Sequence, residues 1–258
     1  MQLRHPLPRP LVIGHRGDCV HAPENTMAAF EASVAAGADM IELDVTLSAD
    51  GRLVVIHDAD LDRTTDGSGP VSARTLAELR ALDAGSWFDP AFAGQRLPVL
   101  EEVLEAFASR VLVNVEIKQE AACVPAPEPV AGQVAGLVRS MGLLERVAVS
   151  SFDYQILLDL RQSDPDLSLG VLSRTVPRGV DPAALVRAVG AVAWHCRVDL
   201  LDAGRVETMH GQGALVLAWV PAALNTADTM RHALALGADG FFANDPDVLA
   251  GIILEQFR

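Results

Sequence analysis

Positive charge is scarce in this chain: 20 Lys and Arg stand against 34 Asp and Glu, a formal net charge of −14 over 258 residues. A general nucleic-acid binder needs a basic face to displace counterions, so that class is excluded, and adsorption to anionic membranes is disfavoured. An anionic substrate would need local cations or a bound metal to invert the field around it. Cysteine is sparse as well. Cys19, Cys123 and Cys196 are odd in number and far apart, with no CxxC or Cys/His spacing, so neither a disulfide framework nor a zinc site is expected. No charge-free apolar run approaches the roughly 20 residues of a bilayer-spanning helix. The N-terminal MQLRHPLPRP lacks the apolar core and small-residue cleavage site of a signal peptide, so a soluble, cytoplasmic protein is expected.

Lysine comes nearest to being absent, since Lys118 is the single Lys in a chain that otherwise uses Arg. A position that keeps Lys against such a bias suits a compact, rotatable ammonium better than a planar fork. Chance retention is the competing reading. What the chain does have is apolar mass: 50% of its residues are hydrophobic, which excludes low-complexity disorder and allows a large core.

Short β-branched runs alternate with Ala- and Leu-rich segments of helical period. Strands are expected at Leu11–Gly14, Ala38–Leu47 with Arg52–Ile56 after an Asp50-Gly51 turn, Val111–Ile117, Arg146–Ser150, Leu169–Leu172, Ala191–His195, Ala214–Val220 and Gly240–Ala243. Helical segments such as Asn25–Ala36, Leu100–Ala108, Tyr154–Ser163 and Pro182–Val189 lie between them. Eight βα units in a chain of this length predict an α/β fold, a TIM (β/α)₈ barrel. A doubly wound sheet is the alternative, but no GxGxxG follows the first strand. Asp58–Val99, rich in Asp, Gly, Thr and Pro, reads as an insertion after the second strand that packs over the barrel mouth. No composition shift marks a second domain, so residues 1–258 are expected to form one.

Functional residues of such barrels cluster at the C-terminal strand ends. Those ends carry His15 and Arg16, then Glu42 and Asp44, then His57, then Glu116 and Lys118. Glu42 and Asp44 are one residue apart, so in a strand they share a face, with Ile41, Leu43 and Val45 on the other. Three inward carboxylates repel one another without a cation, and an all-oxygen set suits Mg²⁺ or Ca²⁺ rather than zinc. Neutralisation by Arg16 and Lys118 alone is the alternative. His15 and His57 form a candidate acid/base pair, while His5, His21, His195, His210 and His232 read as structural. Arg16 can clamp phosphate oxygens and Lys118 add a point charge, a combination suited to a phosphodiester.

The segment GHRGDCVHAPENTMAAFEASVAAGADMIELDVTLSADGRLVVIHDADLDRTTDGSG resembles the signature region of the glycerophosphodiester phosphodiesterase family. LPVLEEVL at Leu97–Leu104 and VEIK at Val115–Lys118 resemble further motifs of that family, and weaker matches recur at Ser151-Phe152, Trp219 and GADGFFANDPD. The resemblance implies metal-dependent hydrolysis of glycerophosphodiesters to sn-glycerol 3-phosphate and an alcohol. By motif it puts catalysis on His15 and His57, one divalent cation on Glu42, Asp44 and Glu116, and phosphate contacts on Arg16 and Lys118. Trp219 is expected as an apolar wall for glycerol, with core packing as its alternative. Within PENT, Asn25 or Thr26 is expected to cap the first helix and Glu24 to support the site, while DRTTDG at Asp62–Gly67 supplies turn residues to anchor the insertion. The chain departs from the family pattern after Trp219, where Val220-Pro221 follow, and at Asn244, where the family usually has Asp. Two other functions compete: a lysophospholipase D-type phosphodiesterase and a catalytically silent glycerol phosphate-binding protein. The first would need an apolar element at the mouth, for which Trp87, Phe88 and Phe92 are candidates, although they read as a plug for the insertion. The second would follow from a missing His or carboxylate, and none is missing. The expected partner is a small-molecule diester, with no nucleic acid and no stable membrane insertion.

Overall fold

The computed structural model describes residues 7–176 and 180–256, so His5 lies outside the described residues. The strands are β1 (Leu11–Gly14), β2 (Met40–Leu47), β3 (Leu53–Val55), β4 (Leu112–Ile117), β5 (Val147–Ser151), β6 (Ser168–Ser173), β7 (Ala193–Arg197), β8 (Leu215–Trp219) and β9 (Gly240–Ala243). The helices are α1 (Met27–Ala35), α2 (Leu76–Leu79), α3 (Leu100–Phe107), α4 (Val130–Ser140), α5 (Tyr154–Ser163), α6 (Pro182–Val189), α7 (Ala203–Gly211), α8 (Ala227–Ala235) and α9 (Pro246–Gln256). All strands but β3 are parallel, and β1 pairs with both β2 and β9, which closes the sheet into an eight-stranded TIM barrel. Closure requires strands buried on both faces, and the fully buried β1, β2, β6 and β9 show this. Acidic or hydroxyl side chains cap the helices where the chain leaves the barrel mouth: Thr26, Asp153, Asp181, Asp202 and Thr226 each accept a backbone N–H of the first turn.

Side chains alternate along each strand. Ile41, Leu43, Val45 and Val113, Val115, Ile117 pack outward against the helices in the main apolar core. Inward, the barrel floor is filled by Leu11, Ile13, Met40, Leu112, Leu217 and Phe242. Two residues further toward the mouth, each inward register changes character: Ile13 gives way to His15, Met40 to Glu42 and Asp44, Leu112 to Asn114 and Glu116. The apolar floor keeps water from below, and the polar ring sits on it.

The second strand differs from a simple βα unit. β3 turns back antiparallel on β2, with Val45 opposite Val55, and Ile56 donates to the Asp44 carbonyl at 3.0 Å. That return sets His57 at the level of Asp44. The residues after it fold beside the hairpin around a separate apolar cluster of Val54, Ile56, Leu61, Val71, Leu79, Ala84 and Leu97. The insertion therefore does not roof the mouth: of its residues only Asp58 and Ala59 line the cavities there. Trp87, Phe88 and Phe92 stack edge to face at 5.7 and 5.6 Å outside that cluster and away from both cavities. They supply no apolar element to the mouth.

Beneath the polar ring, His195 lies inside the barrel with its ring 5.2 Å from that of Phe242. Burial pushes its pKa down to about 3, so it stays neutral and serves packing. Gly170 faces it across β6 and β7. An added Cβ would stand 2.4 Å from His195 Cε1, and the ring has no room to swing against Phe242. Gly170→Ala is expected to destabilise the fold by about 1–3 kcal/mol, as overpacking does, read as a lower urea midpoint at unchanged m. An unchanged midpoint would show that the interior layer yields more easily than its contacts imply.

Candidate active site

The turn after β1 is built by two consecutive left-handed residues, Arg16 at φ 57° and Gly17 at φ 83°. Gly17 is required twice over, since a Cβ there would also lie 2.5 Å from the Ala29 carbonyl carbon in α1. Arg16 bears a strain of about 1–3 kcal/mol for its conformation. In return its backbone N–H points into the barrel and donates to Glu42 Oε2 at 2.8 Å, while its side chain reaches Glu24 at 2.9 Å. Its Nε stands 3.5 Å from Asp44 Oδ2 without a formed hydrogen bond.

Across the β2–β4 ladder Asp44 faces Glu116 directly and Glu42 faces Asn114. Glu42, Asp44 and Glu116 bring one oxygen each within 4.8 Å of one another. Like charges in such register repel. Burial first, then Asp44 and its fellow Glu116, push the Glu42 carboxyl well above the usual range. Burial and Asp44 likewise push Glu116 up, only partly opposed by Lys118. Asp44 goes the other way: burial raises it, but Lys118 and Arg16 outweigh that and hold it low. Lys118 Nζ lies 2.9 Å from Glu116 and 3.3 Å from Asp44, so its own pKa rises despite burial. The chemistry of the cluster suits a hard divalent cation. It offers three converging oxygens, and two of its carboxyls stay strained even with both cations present.

His15 and His57 face this cluster with different partners. His15 Nδ1 lies 2.8 Å from Asn244 Oδ1. A carbonyl oxygen only accepts, so this contact puts the proton on Nδ1 and leaves Nε2 with a lone pair. Burial and then Arg16 push the His15 pKa down to about 4. His57 Nδ1 is paired at 2.6 Å with Asp58 Oδ1. Burial lowers the His57 pKa too, opposed by Asp44 and Asp58. Cys19 approaches the Asn244 carbonyl at 3.8 Å, but burial raises its pKa to about 12 and keeps the thiol protonated.

All seven polar residues expected from the sequence thus converge, and Trp219 stands with them. A cavity of about 290 Å³ is lined by His15, Arg16, Glu42, Trp219 and Phe242. A wider one of about 660 Å³ opens toward Gln119, Glu120, Tyr154 and Val180. His57, Glu116, Lys118 and Phe152 belong to both. Trp219 donates from Nε1 to the His195 carbonyl at 3.2 Å and meets Phe152 at 5.6 Å with the two rings nearly perpendicular, and it lines the narrower cavity.

Three partners of the candidate site residues are not legible in the sequence. Asn25 is not the helix cap, which Thr26 supplies. It sits at φ 57° and binds Asp44 both ways, donating to Oδ2 at 2.8 Å and accepting from the backbone N–H at 3.2 Å. Arg63, in the stretch read as turn residues, ties Glu24 and Asp58 together at 2.7 and 2.6 Å. It thereby links the His57 partner to the Arg16 partner, and Glu24 has the supporting place expected of it. Asn244 stands out in the sequence only as a departure from the family pattern; its contact with His15 spans the barrel seam.

The family model of the glycerophosphoryl diester phosphodiesterase family matches residues 15–248. A glycerophosphodiester phosphodiesterase of Caldanaerobacter subterraneus is 37% identical over 94% of this chain and 97% of its own length. A putative glycerophosphodiester phosphodiesterase of Bacillus subtilis is 37% identical over 92% of this chain and 96% of its own. Among solved structures, an Oleispira antarctica phosphodiesterase in complex with the product sn-glycerol-3-phosphate superposes with a TM-score of 0.81. It is 27% identical, with 95% of this chain and 97% of that one covered.

Proposed function

The chain belongs to the glycerophosphoryl diester phosphodiesterase family, and we propose that it hydrolyses glycerophosphodiesters to sn-glycerol 3-phosphate and an alcohol. The observation that carries this reading is the meeting of two cavities at His57, Glu116 and Lys118, with the acidic cluster beside them. Phosphate belongs at that junction, the small glycerol moiety in the narrower cavity against Trp219, and the variable alcohol in the wider one. Glu42, Asp44 and Glu116 would hold one divalent cation, Mg²⁺ or Ca²⁺, which supplies charge stabilisation at phosphorus when bound. Arg16 and Lys118 neutralise phosphate oxygens.

The substrate's own glycerol hydroxyl attacks phosphorus in this scheme, forming a cyclic phosphate and expelling the alcohol, and His15, neutral and with its Nε2 lone pair free, is suited to take that hydroxyl's proton. His57, backed by the Asp58 carboxylate, is better placed to carry a proton and hand it to the leaving alkoxide. An arriving phosphodiester anion favours that protonated form further. Water then opens the cyclic phosphate, with the two rings exchanging roles.

Product analysis tests the reading. Glycerophosphoglycerol, glycerophosphocholine and a lysophospholipid are incubated with Mg²⁺, Ca²⁺ or EDTA. Sn-glycerol 3-phosphate is expected from the first two with metal only; turnover of the lysophospholipid alone would favour the lipid-acting alternative. Asn244 is a positioning residue in this scheme. Asn244→Ala is expected to lower kcat by roughly 10–100-fold, as a small misplacement of a catalytic group does, with KM nearly unchanged. Asn244→Asp, which still accepts from Nδ1, should recover most of the loss. An alanine variant as active as the wild type would remove that role.

A further inference from the structure

Among the described residues, the four cationic side chains around the two cavities are not equivalent. Arg16 engages Glu24 and Asp44, and Lys118 bridges Asp44 and Glu116. Arg197 is held at 2.5 Å in a two-pronged pair with Asp199. Arg174 alone has no carboxylate partner and donates no side-chain hydrogen bond among the described residues, although it lines both cavities. In an acidic protein, a guanidinium left free at the mouth stands out.

Its placement follows from the strand period. The inward register of β6 runs Gly170, Leu172, and Arg174 is the next position, just beyond the strand end. The guanidinium lies over the Phe152 ring at 4.4 Å, and Phe152 is braced edge-on by Trp219. That cation–π contact anchors the fork, while its N–H groups donate no side-chain hydrogen bond among the described residues. Such a fork is prepared for a carboxylate or a phosphate.

The scissile phosphate already has Arg16, Lys118 and the acidic cluster's cation. The room left for another anion is the wider cavity, about 660 Å³. Its acids beside the cluster are Asp58, tied to Arg63, and Glu120 on its outer wall. We infer that Arg174 is a specificity-determining residue that reads the leaving alcohol, favouring diesters whose head group carries a carboxylate or a second phosphate. This rests on the phosphodiesterase reading above. A head group with an ammonium as well meets Glu120 in the same cavity.

Two matched substrate pairs test it. Glycerophosphoserine differs from glycerophosphoethanolamine by one carboxylate, and deacylated cardiolipin differs from glycerophosphoglycerol by a further phosphodiester. Steady-state kcat/KM is measured on all four for the wild type, Arg174→Gln and Arg174→Lys. The wild type should prefer the more anionic member of at least one pair, and which pair responds identifies carboxylate or phosphate as the group read. Arg174→Gln should erase about tenfold of that preference, the scale of an accessible charge-assisted hydrogen bond. Arg174→Lys, charged but without the fork, should keep part of it. A wild type without preference, or an Arg174→Gln loss equal on both members of each pair, would overturn the inference; the equal loss would reassign Arg174 to the scissile phosphate. Failure of the wild type on all four would instead strike the phosphodiesterase reading, and this inference with it.

Discussion

Glu42→Gln is expected to abolish turnover while making the metal-free protein no less stable, and the pairing of those two results is diagnostic. Glu42 is buried among like charges, and its folded pKa is raised above its unfolded value. Folding at neutral pH therefore works against its ionised form, so replacing the carboxylate by a neutral amide relieves the metal-free fold. A cation bound to the native state adds stability in proportion to its occupancy. The wild type should melt higher with Mg²⁺ or Ca²⁺ than with EDTA, and Glu42→Gln should lose that increment. Its metal affinity should fall by at least roughly 10–100-fold, the cost already known for groups one shell further out. Titration calorimetry and thermal unfolding read both quantities without relying on activity. Full turnover after exhaustive chelation, with no metal in the purified protein, would sink the proposal.

The histidines should show the second large effect. His15→Ala and His57→Ala are each expected to lower kcat by roughly 10²–10⁴-fold, the usual yield of a positioned acid or base. His210, whose Nε2 pairs with Asp239 at 2.9 Å outside both cavities, serves as the control and should change little when replaced by Ala. Because a base and an acid act within one transition state, the double variant should lose far less than the product of the single losses. Equal losses at all three positions would show that stability, not catalysis, is being measured.

Much of this was legible from local pattern. Alternating apolar and polar residues put Glu42 and Asp44 on one face of one strand, and the βα rhythm put His15, Glu116 and Lys118 at strand ends that a closed barrel must bring together. The same period of two extended past β6 reaches Arg174, but no motif draws attention to it there. Its meaning comes from the carboxylate partner it lacks among the described residues, and pairing is not written in spacing. The insertion shows the opposite limit. Its turn residues were plain, yet its position depended on β3 folding back antiparallel, which packed its apolar residues beside the hairpin instead of over the mouth.

Strand period, helix period and motif spacing are set by a residue's near neighbours along the chain, and they were enough for the barrel and for the set of chemical groups on its rim. Partnership is set by closure. Asn244 meets His15 because β9 pairs with β1, and Asp44 faces Glu116 because β2 and β4 pair in one register. Arg63 joins Glu24 to Asp58 because a loop happens to pass between them. Those contacts fix which histidine carries its proton where and which carboxyls are strained. They arise between segments far apart in the chain, where a one-residue change of register would exchange every inward side chain for an outward one.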